Sequence, residues 1–241
     1  MDDCLMSLCI PTNGVLEWVL PVLESIYSQD IGLNLFEVIV TDNGNNLKFS
    51  EAMSSYVAKY PNFRYKKTRA VQFLNQIEAF RLARGNFIKF VNHRMKLKPG
   101  SIIYLLDFVR KYSNEKPGIF FTNNSGNGKQ SSIVCRSFDE FVLKLSYFSS
   151  WSAGLACWKE DFNRIPTEKS YNFLFPHTDI LFFERSKKNY IIDNNILFEE
   201  IQVNNISKGK YNLFNAFGVE YLCIIYQLYR EKSIKLTTFL K

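Results

Sequence analysis

The chain has 241 residues and a formal charge of +7, from 30 Lys+Arg against 23 Asp+Glu, with 46% apolar residues and 22 Phe, 13 Tyr and 3 Trp. This balance excludes a disordered chain, a collagen and a disulfide scaffold, and no apolar run reaches the roughly 18–20 residues of a membrane span. Five scattered cysteines (Cys4, Cys9, Cys135, Cys157, Cys223) form no C-x-x-C pair, which argues against a cysteine zinc site, and Met1-Asp2-Asp3 is acidic where a signal peptide is basic. The expected setting is a reducing cytoplasm with free thiols.

Strand and helix signals alternate over the first hundred residues. Leu5–Ile10 is an apolar run ended by Pro11, read as a buried strand. Residues 15–29 carry Leu16, Val19, Leu20, Leu23 and Ile26 at helical spacing. Phe36–Val40 is a second strand, closed by the turn-prone Asp42-Asn43-Gly44. A helix over 49–59, a strand near Phe63–Lys66, a helix over 71–84 and a strand over Phe87–Val91 follow. Pro99 is placed just inside a helix carrying Leu105, Leu106 and Val109. Ile119–Phe121 is a further strand. The second half is less regular: helices over 138–147 and 171–188, a strand over Tyr190–Asp193, and an aromatic, then basic, tail.

This alternation predicts an α/β fold with a mostly parallel sheet and helices on both faces. In such sheets ligands bind at the carboxyl ends of strands. The loops to watch are therefore Pro11-Thr12-Asn13, Thr41-Asp42-Asn43 and Asn92-His93-Arg94. The turn after the first strand reads Pro11-Thr12-Asn13-Gly14, so the G-x-G-x-x-G dinucleotide fingerprint is absent. Gly126-Asn127-Gly128-Lys129 is followed by Gln130, not Ser or Thr, and is no phosphate loop. No G-x-S-x-G elbow exists for a serine hydrolase.

Several spaced motifs in order carry a family pattern: Cys9-Ile10-Pro11-Thr12-Asn13-Gly14, Leu23-Glu24-Ser25-Ile26 with Gln29, and Phe36 through Gly44. Asn75, Ala83-Arg84-Gly85-Asn86-Phe87-Ile88 and Pro99-Gly100-Ser101-Ile102 continue it. Together they resemble the start of family 2 glycosyltransferases, which typically read I-P-T-Y-N, L-x-S-I-x-x-Q and F-E-V-I-V-x-D-D-G-S. The resemblance is close over about the first 120 residues and loose beyond. It implies a GT-A fold: a Rossmann-like sheet with a nucleotide-sugar donor half over 1–122, an acceptor half over 123–207 and a C-terminal aromatic, basic helix over 208–241.

It also implies a site for a nucleotide-diphosphate sugar, UDP-linked in the first instance. Pro11, Thr12, Asn13, Asp42 and Asn75 fall on donor-binding positions. A carboxylate at a strand end can accept the imide N–H of uracil; the other reading of Asp42 is a turn-forming residue ahead of Asn43-Gly44. Where the family carries a metal-binding D-x-D, this chain reads Asn92-His93-Arg94. Hard divalent cations prefer carboxylate oxygens, so no metal ligand is assigned and no cofactor is required in the first reading. In that reading Arg94, with His93 nearby, neutralises the leaving diphosphate through forked hydrogen bonds. A weak Mn²⁺ or Mg²⁺ on Asn92 and His93, or a dead site with surface charges, are the alternatives.

Inverting members use a late aspartate as base, commonly in an E-D pair opening a helix. The match is Pro176-His177-Thr178-Asp179, with Thr178 in place of the glutamate. Asp179 can accept the proton if burial lifts its pKa, with His177 orienting the acceptor or phosphate. The alternative is a first-turn acid that only complements the helix dipole; Asp161 is the runner-up base. Ser152 and Gly154 stand where, in the family, small residues let the donor sugar approach the backbone, and Trp151 either stacks on the acceptor sugar or sits in the core.

Between Ala52 and Leu106 there are 11 Lys+Arg and one acid, Glu78, a field suited to an anionic substrate. The resemblance implies as partners the nucleotide sugar and a glycan acceptor, lipid-linked in the manner of capsule or O-antigen synthesis, and not nucleic acid. The tail from Lys208 to Lys241 fits a membrane surface on the cytoplasmic side, a core-packed helix or a homodimer contact equally. A non-catalytic sugar-nucleotide-binding relative remains the competing class.

Overall fold

The structure is a computed structural model describing residues 4–124, 131–202 and 211–241. The Gly126–Lys129 loop with Gln130, and residues 208–210 of the tail, lie outside the described residues. In chain order the elements are β1 (Met6–Thr12), α1 (Leu16–Tyr27), β2 (Phe36–Asp42), α2 (Leu47–Lys59), β3 (Phe63–Lys67), a 3₁₀ turn (Gln72–Leu74), α3 (Asn75–Leu82), β4 (Phe87–Phe90), β5 (Met95–Leu97) and α4 (Ser101–Tyr112). Then come β6 (Gly118–Phe121), β7 (Ser132–Cys135), α5 (Phe138–Leu145), 3₁₀ turns at Ser146–Ser150 and Ser152–Gly154, β8 (Ala156–Trp158), α6 (Lys159–Asn163) and α7 (Pro176–Leu181). β9 (Tyr190–Asp193), β10 (Phe198–Glu200), α8 (Leu213–Asn215), a π turn (Ala216–Glu220), α9 (Tyr221–Arg230) and α10 (Leu236–Phe239) complete the chain.

The main sheet runs β3-β2-β1-β4-β8. Its first four strands are parallel, and β8 is antiparallel to β4, with Phe87 opposite Trp158 and Lys89 opposite Ala156. A bridge from Phe120 to Leu155 brings β6 beside β8, and β6, β9 and β7 form a second sheet. β5 and β10 pair antiparallel.

The sheet is buried on both faces, which is why its strands read as continuous apolar runs. In β1 the alternation assigns Met6, Leu8 and Ile10 to the face covered by α1, α2 and α4, and Cys9 to the opposite face with α3, α5 and the tail. The tail helix packs on that second face through Ala216, Tyr221, Ile225 and Leu228. The Tyr221 hydroxyl lies 2.7 Å from Ser149 Oγ and donates to Ser146 O at 3.0 Å.

Four readings of the sequence need correction. β1 continues through Pro11 to Thr12, because Pro11 needs no N–H to hold its register opposite Thr41. The 71–84 helix begins only at Asn75, after the 3₁₀ turn. Pro99 lies outside α4, since Gly100 occupies the N-cap at φ +83°, a conformation glycine takes without strain. The 171–188 helix shrinks to Pro176–Leu181: Asn172 Oδ1 accepts the N–H groups of Leu174 and Phe175 in a local turn, which competes with helix, and Pro176 then starts α7 afresh.

Candidate active site

The carboxyl ends of β1, β2 and β4 meet as the topology requires. Asn75, the first residue of α3, ties β1 to β2: its Nδ2 donates to Thr12 O (3.0 Å) and Thr41 O (2.8 Å), and its Oδ1 accepts from the Thr68 hydroxyl (2.8 Å). Asn75 is buried and its side-chain groups are committed, so it fixes the strand ends rather than facing a ligand. The loops approach closely. A Cβ at Gly44 would stand 1.9 Å from Asn13 O, so only glycine admits this crossing. Asn13 itself is exposed, and Pro11 is half-buried.

Asp42 departs from its expected role. Its side chain is 0% exposed; Oδ1 accepts from Gly44 N (2.7 Å), and Oδ2 accepts from Lys67 Nζ (2.8 Å) and the Tyr65 hydroxyl (3.1 Å). The carboxylate is a strut under the Asn43-Gly44 turn, not an open acceptor for a base. Lys67 faces Asp42 in the β2–β3 register and Tyr65 lies two residues earlier on the same side, a pairing that the sequence shows only once the register is known.

At the end of β4, His93 Nδ1 lies 2.8 Å from the Thr12 hydroxyl, which also accepts Gly14 N at 3.2 Å. With the hydroxyl hydrogen donated to Nδ1, Nε2 carries the ring proton. Burial, with the Arg94 charge adding to it, lowers the His93 pKa to about 3, so the ring is neutral at any working pH. Trp18 of α1, unremarked in the sequence, supports both neighbours: its ring lies 5.1 Å from the His93 ring, and the Arg94 guanidinium carbon sits 5.4 Å above it. Arg94 has no carboxylate partner among the described residues.

The residues do not fit a divalent cation. Asn92 Oδ1 accepts Arg94 N at 3.0 Å, His93 Nδ1 is engaged by Thr12, and Arg94 adds a positive charge in the same loop. Among the described residues no three His, Cys, Asp or Glu gather as ligands. A hard cation takes carboxylate oxygens and this loop offers none, so no step below runs through a metal.

The antiparallel direction of β8 decides which late residues share this edge. The segment before it, Ser152–Gly154, lies at the carboxyl end of β4, where Phe90 N donates to Leu155 O at 3.1 Å. α6, after it, lies at the opposite edge. Asp161 therefore sits away from the strand-end loops, ion-paired to Lys187 at 2.8 Å, and is not the base. Gly154 is small for a different reason than expected. A Cβ there would stand 2.1 Å from the Phe120 ring, so packing demands the glycine. Ser152 and Trp151 are half-buried, the Trp151 ring against the second core.

Lys89 on β4, in the sequence only one of the eleven cations and given no place in the site, is fully buried. Its Nζ donates to Phe90 O (2.9 Å), Ala153 O (2.5 Å) and Leu155 O (3.2 Å) and lies over the Phe121 and Phe198 rings. Burial pushes its pKa well below the usual lysine range. It ties the Ser152–Gly154 segment to the strand that ends in Asn92-His93-Arg94. No periodicity signals it, because a lysine inside a strand reads as an outward position.

The first turn of α7 reaches the same edge. His177 Nε2 lies 2.7 Å from Ser150 O, and the Thr178 hydroxyl donates to Ser149 O at 3.0 Å. His177 is buried, its Nδ1 has no hydrogen-bond partner among the described residues, and desolvation lowers its pKa to about 4. Asp179 is half-buried. One oxygen accepts Asn172 N at 2.6 Å, the other has no hydrogen-bond partner among the described residues, and burial raises the pKa from its ordinary aspartate value. No hydrogen bond joins Asp179 or His177 to the strand-end loops.

The basic stretch is less free than its count implies. Five of the eleven cations form ion pairs: Arg64 with Glu37, Lys66 and Arg81 with Glu78, Lys67 with Asp42, and Lys96 with Glu199. Lys59, Arg69, Arg84, Lys89, Arg94 and Lys98 form no ion pair among the described residues, and of these Arg94 and Arg69 stand in loops that follow strands of the main sheet.

The fold and the composition of its edge define a GT-A protein with a loop that lacks the usual carboxylates. The sequence profile described as Glycosyl transferase family 2 matches residues 7–133, more than half of the chain, and the chain belongs to that family. Among solved structures it is similar to S. aureus TarS 1-349 in complex with UDP-GlcNAc, with a TM-score of 0.68 at 13% identity over 93% of this chain and 66% of that one. TarS 1-349 crystallised alone gives a TM-score of 0.59 at 16% identity, over 82% of this chain and 60% of that one. A mannosyltransferase from Pyrobaculum calidifontis, PcManGT, in complex with GDP-Man and Mn2+ gives 0.57 at 16% identity, over 93% and 64%. The chain thus spans just under two thirds of the length of these structures. A comparison with curated proteins finds no match.

Proposed function

We propose that the chain transfers a sugar, with inversion, from a nucleoside-diphosphate sugar to a hydroxyl of a glycan acceptor, using fixed positive charge where relatives use a metal. The observation that carries this reading is Arg94. It stands in the loop where family members place D-x-D, is braced over Trp18 and lacks a carboxylate partner among the described residues. A guanidinium can fork to two oxygens of a diphosphate and offset the charge that develops as it departs. The nucleotide lies along the Pro11–Asn13 and Asn43–Gly44 loops. Asp42 and Asn75 hold those loops in place, and Asn92 holds the Arg94 turn.

In the transfer step the acceptor oxygen forms a bond to the anomeric carbon while the bond from that carbon to the diphosphate oxygen breaks. The electron pair leaves on the diphosphate, facing Arg94, and the acceptor proton passes to the free oxygen of Asp179. The raised pKa of Asp179 suits it to accept that proton. His177 and Thr178 hold α7 against the Ser149–Ser150 carbonyls and so aim this first turn. Trp151 lines the acceptor side and Ser152 the donor sugar. UDP is the first nucleotide to test, since TarS was crystallised with UDP-GlcNAc, with GDP-mannose second after PcManGT. The acceptor we favour is a lipid-linked oligosaccharide of surface-polysaccharide synthesis, met at the cytoplasmic face of a membrane.

The test is donor turnover across UDP- and GDP-sugars, with nucleotide binding followed by calorimetry. Arg94→Met should retain nucleotide binding and lose turnover. Binding without turnover for every donor, in the unmodified protein, would instead favour the non-catalytic sugar-nucleotide-binding reading.

A further inference from the structure

The solvent side of the tail helix carries no charge where one is normal. From Leu213 to Tyr226, across α8, the π turn and the first half of α9, the exposed large side chains are Leu213, Phe214, Phe217, Val219, Leu222 and Tyr226. Leu213 and Phe214 are 63% and 79% exposed. The inner side is equally apolar, through Ala216, Tyr221 and Ile225 in the core. A helix on the surface of a globular protein turns polar residues outward, and one that is apolar all round meets an apolar medium on both sides.

Charge indicates which medium. The acid of this segment and the one that follows it are both taken up within the protein: Glu220 accepts from Asn172 Nδ2 at 2.8 Å and Glu231 pairs with Arg185. The cations that follow, Arg230, Lys232, Lys235 and Lys241, are exposed, and among the described residues only Lys235 forms an ion pair, with Asp139 at 3.8 Å. A second copy of the chain would bring the same cations to the rim with no free acids of the segment to meet them. An anionic lipid surface complements both features, because an apolar aromatic face enters the headgroup boundary while flanking cations meet lipid phosphates. No helix among the described residues is long and apolar enough to cross a membrane, so the helix lies on the surface.

We infer that the outer face of α8–α9 docks the protein on an anionic membrane. The face adjoins the candidate active site. Tyr211 packs edge-on against Phe73 at 6.2 Å, in the turn whose Gln72 carbonyl accepts from Asn43, and Phe217 packs against Phe175 at 5.6 Å, beside His177. Docking therefore brings the strand-end loops to the lipid surface. This inference goes beyond the transfer chemistry and stands or falls separately from it.

The experiment is co-sedimentation of the purified chain with vesicles of phosphatidylcholine alone or mixed with phosphatidylglycerol, alongside light scattering for mass and calorimetry with UDP. The unmodified protein should bind the mixed vesicles, bind the neutral ones weakly and release as salt rises. The triple variant Leu213→Ser/Phe214→Ser/Leu222→Ser should lose affinity for mixed vesicles by about tenfold or more, with UDP binding and thermal midpoint unchanged. Equal failure to bind either vesicle, or undiminished binding by the variant, would overturn the inference. So would a dimer that the variant dissolves without any vesicle binding, which would make the face a contact between copies. Vesicle binding with no sugar transfer would uphold the docking and count against the catalytic proposal alone.

Discussion

At the scale of single residues the proposed chemistry rests on Arg94 and Asp179, whose surroundings differ as the tasks proposed for them do. Arg94 is braced by an aromatic ring and meets no acid among the described residues. Replacing it with Met should lower donor turnover by about 10²–10³-fold while nucleotide affinity, read by calorimetry, falls far less. Asp179 is held by one oxygen and raised in pKa by burial. The acidic limb of turnover should therefore lie at higher pH than an exposed aspartate would give. Asp179→Asn should abolish turnover with nucleotide binding intact, and an active Asp179→Asn protein would remove it as the base. The histidines give a separate signature in stability. His93 and His177 have folded-state pKa values of about 3 and about 4, below the unfolded value near 6.5. Between those limits the unfolded chain binds protons that the native chain refuses. Stability is therefore full above the unfolded value and is lost as pH falls through it. His177 alone should lower urea-unfolding free energy by about 2 kcal/mol between about pH 7 and about pH 5, and His177→Phe should flatten that slope.

Elements show where sequence reasoning works and where it stops. The β-α alternation through β4 was legible because a strand buried on both faces is a plain apolar run and each helix carries its own period. Asn92-His93-Arg94 was legible for the same reason: the end of β4 is fixed by its pattern, so a missing carboxylate there is visible. Lys89, Trp18 and Lys67 were not, since each matters through a partner on another element. Lys89 reaches Ala153 and Leu155, Trp18 reaches His93 and Arg94, and Lys67 reaches Asp42. The burial of Asp42 depends in the same way on β3 registering beside β2. Past β6 the short strands β7, β8 and β10 have no period to read, and a local turn at Asn172 replaced the expected long helix. Gly154 separates the two explanations for a small residue. If packing against Phe120 demands it, Gly154→Ala should cost about 1–3 kcal/mol in urea unfolding. A role in sugar approach alone would raise KM for the donor and leave stability untouched.

For the whole molecule, the +7 charge resolves into separate parts. Five of the eleven cations between Ala52 and Leu106 neutralise acids, three of which (Glu37, Asp42 and Glu199) lie outside that stretch. Lys89 is spent on backbone carbonyls inside the fold. What remains for a ligand is a small set near the strand ends, with Arg94 foremost, and a second set on the tail beside an apolar face. The sheet thus presents one edge on which nucleotide loops, the Ser152–Gly154 segment and the first turn of α7 converge, while α6 and Asp161 occupy the opposite edge. The central claim is that fixed positive charge does the work of a metal at the first edge. Its most direct test is the rate of nucleotide release from the best donor sugar, measured on protein stripped with EDTA and again after addition of Mn²⁺ or Mg²⁺. The account predicts the same rate in all three conditions and its loss in Arg94→Met. A rate abolished by EDTA and restored by Mn²⁺ would contradict it.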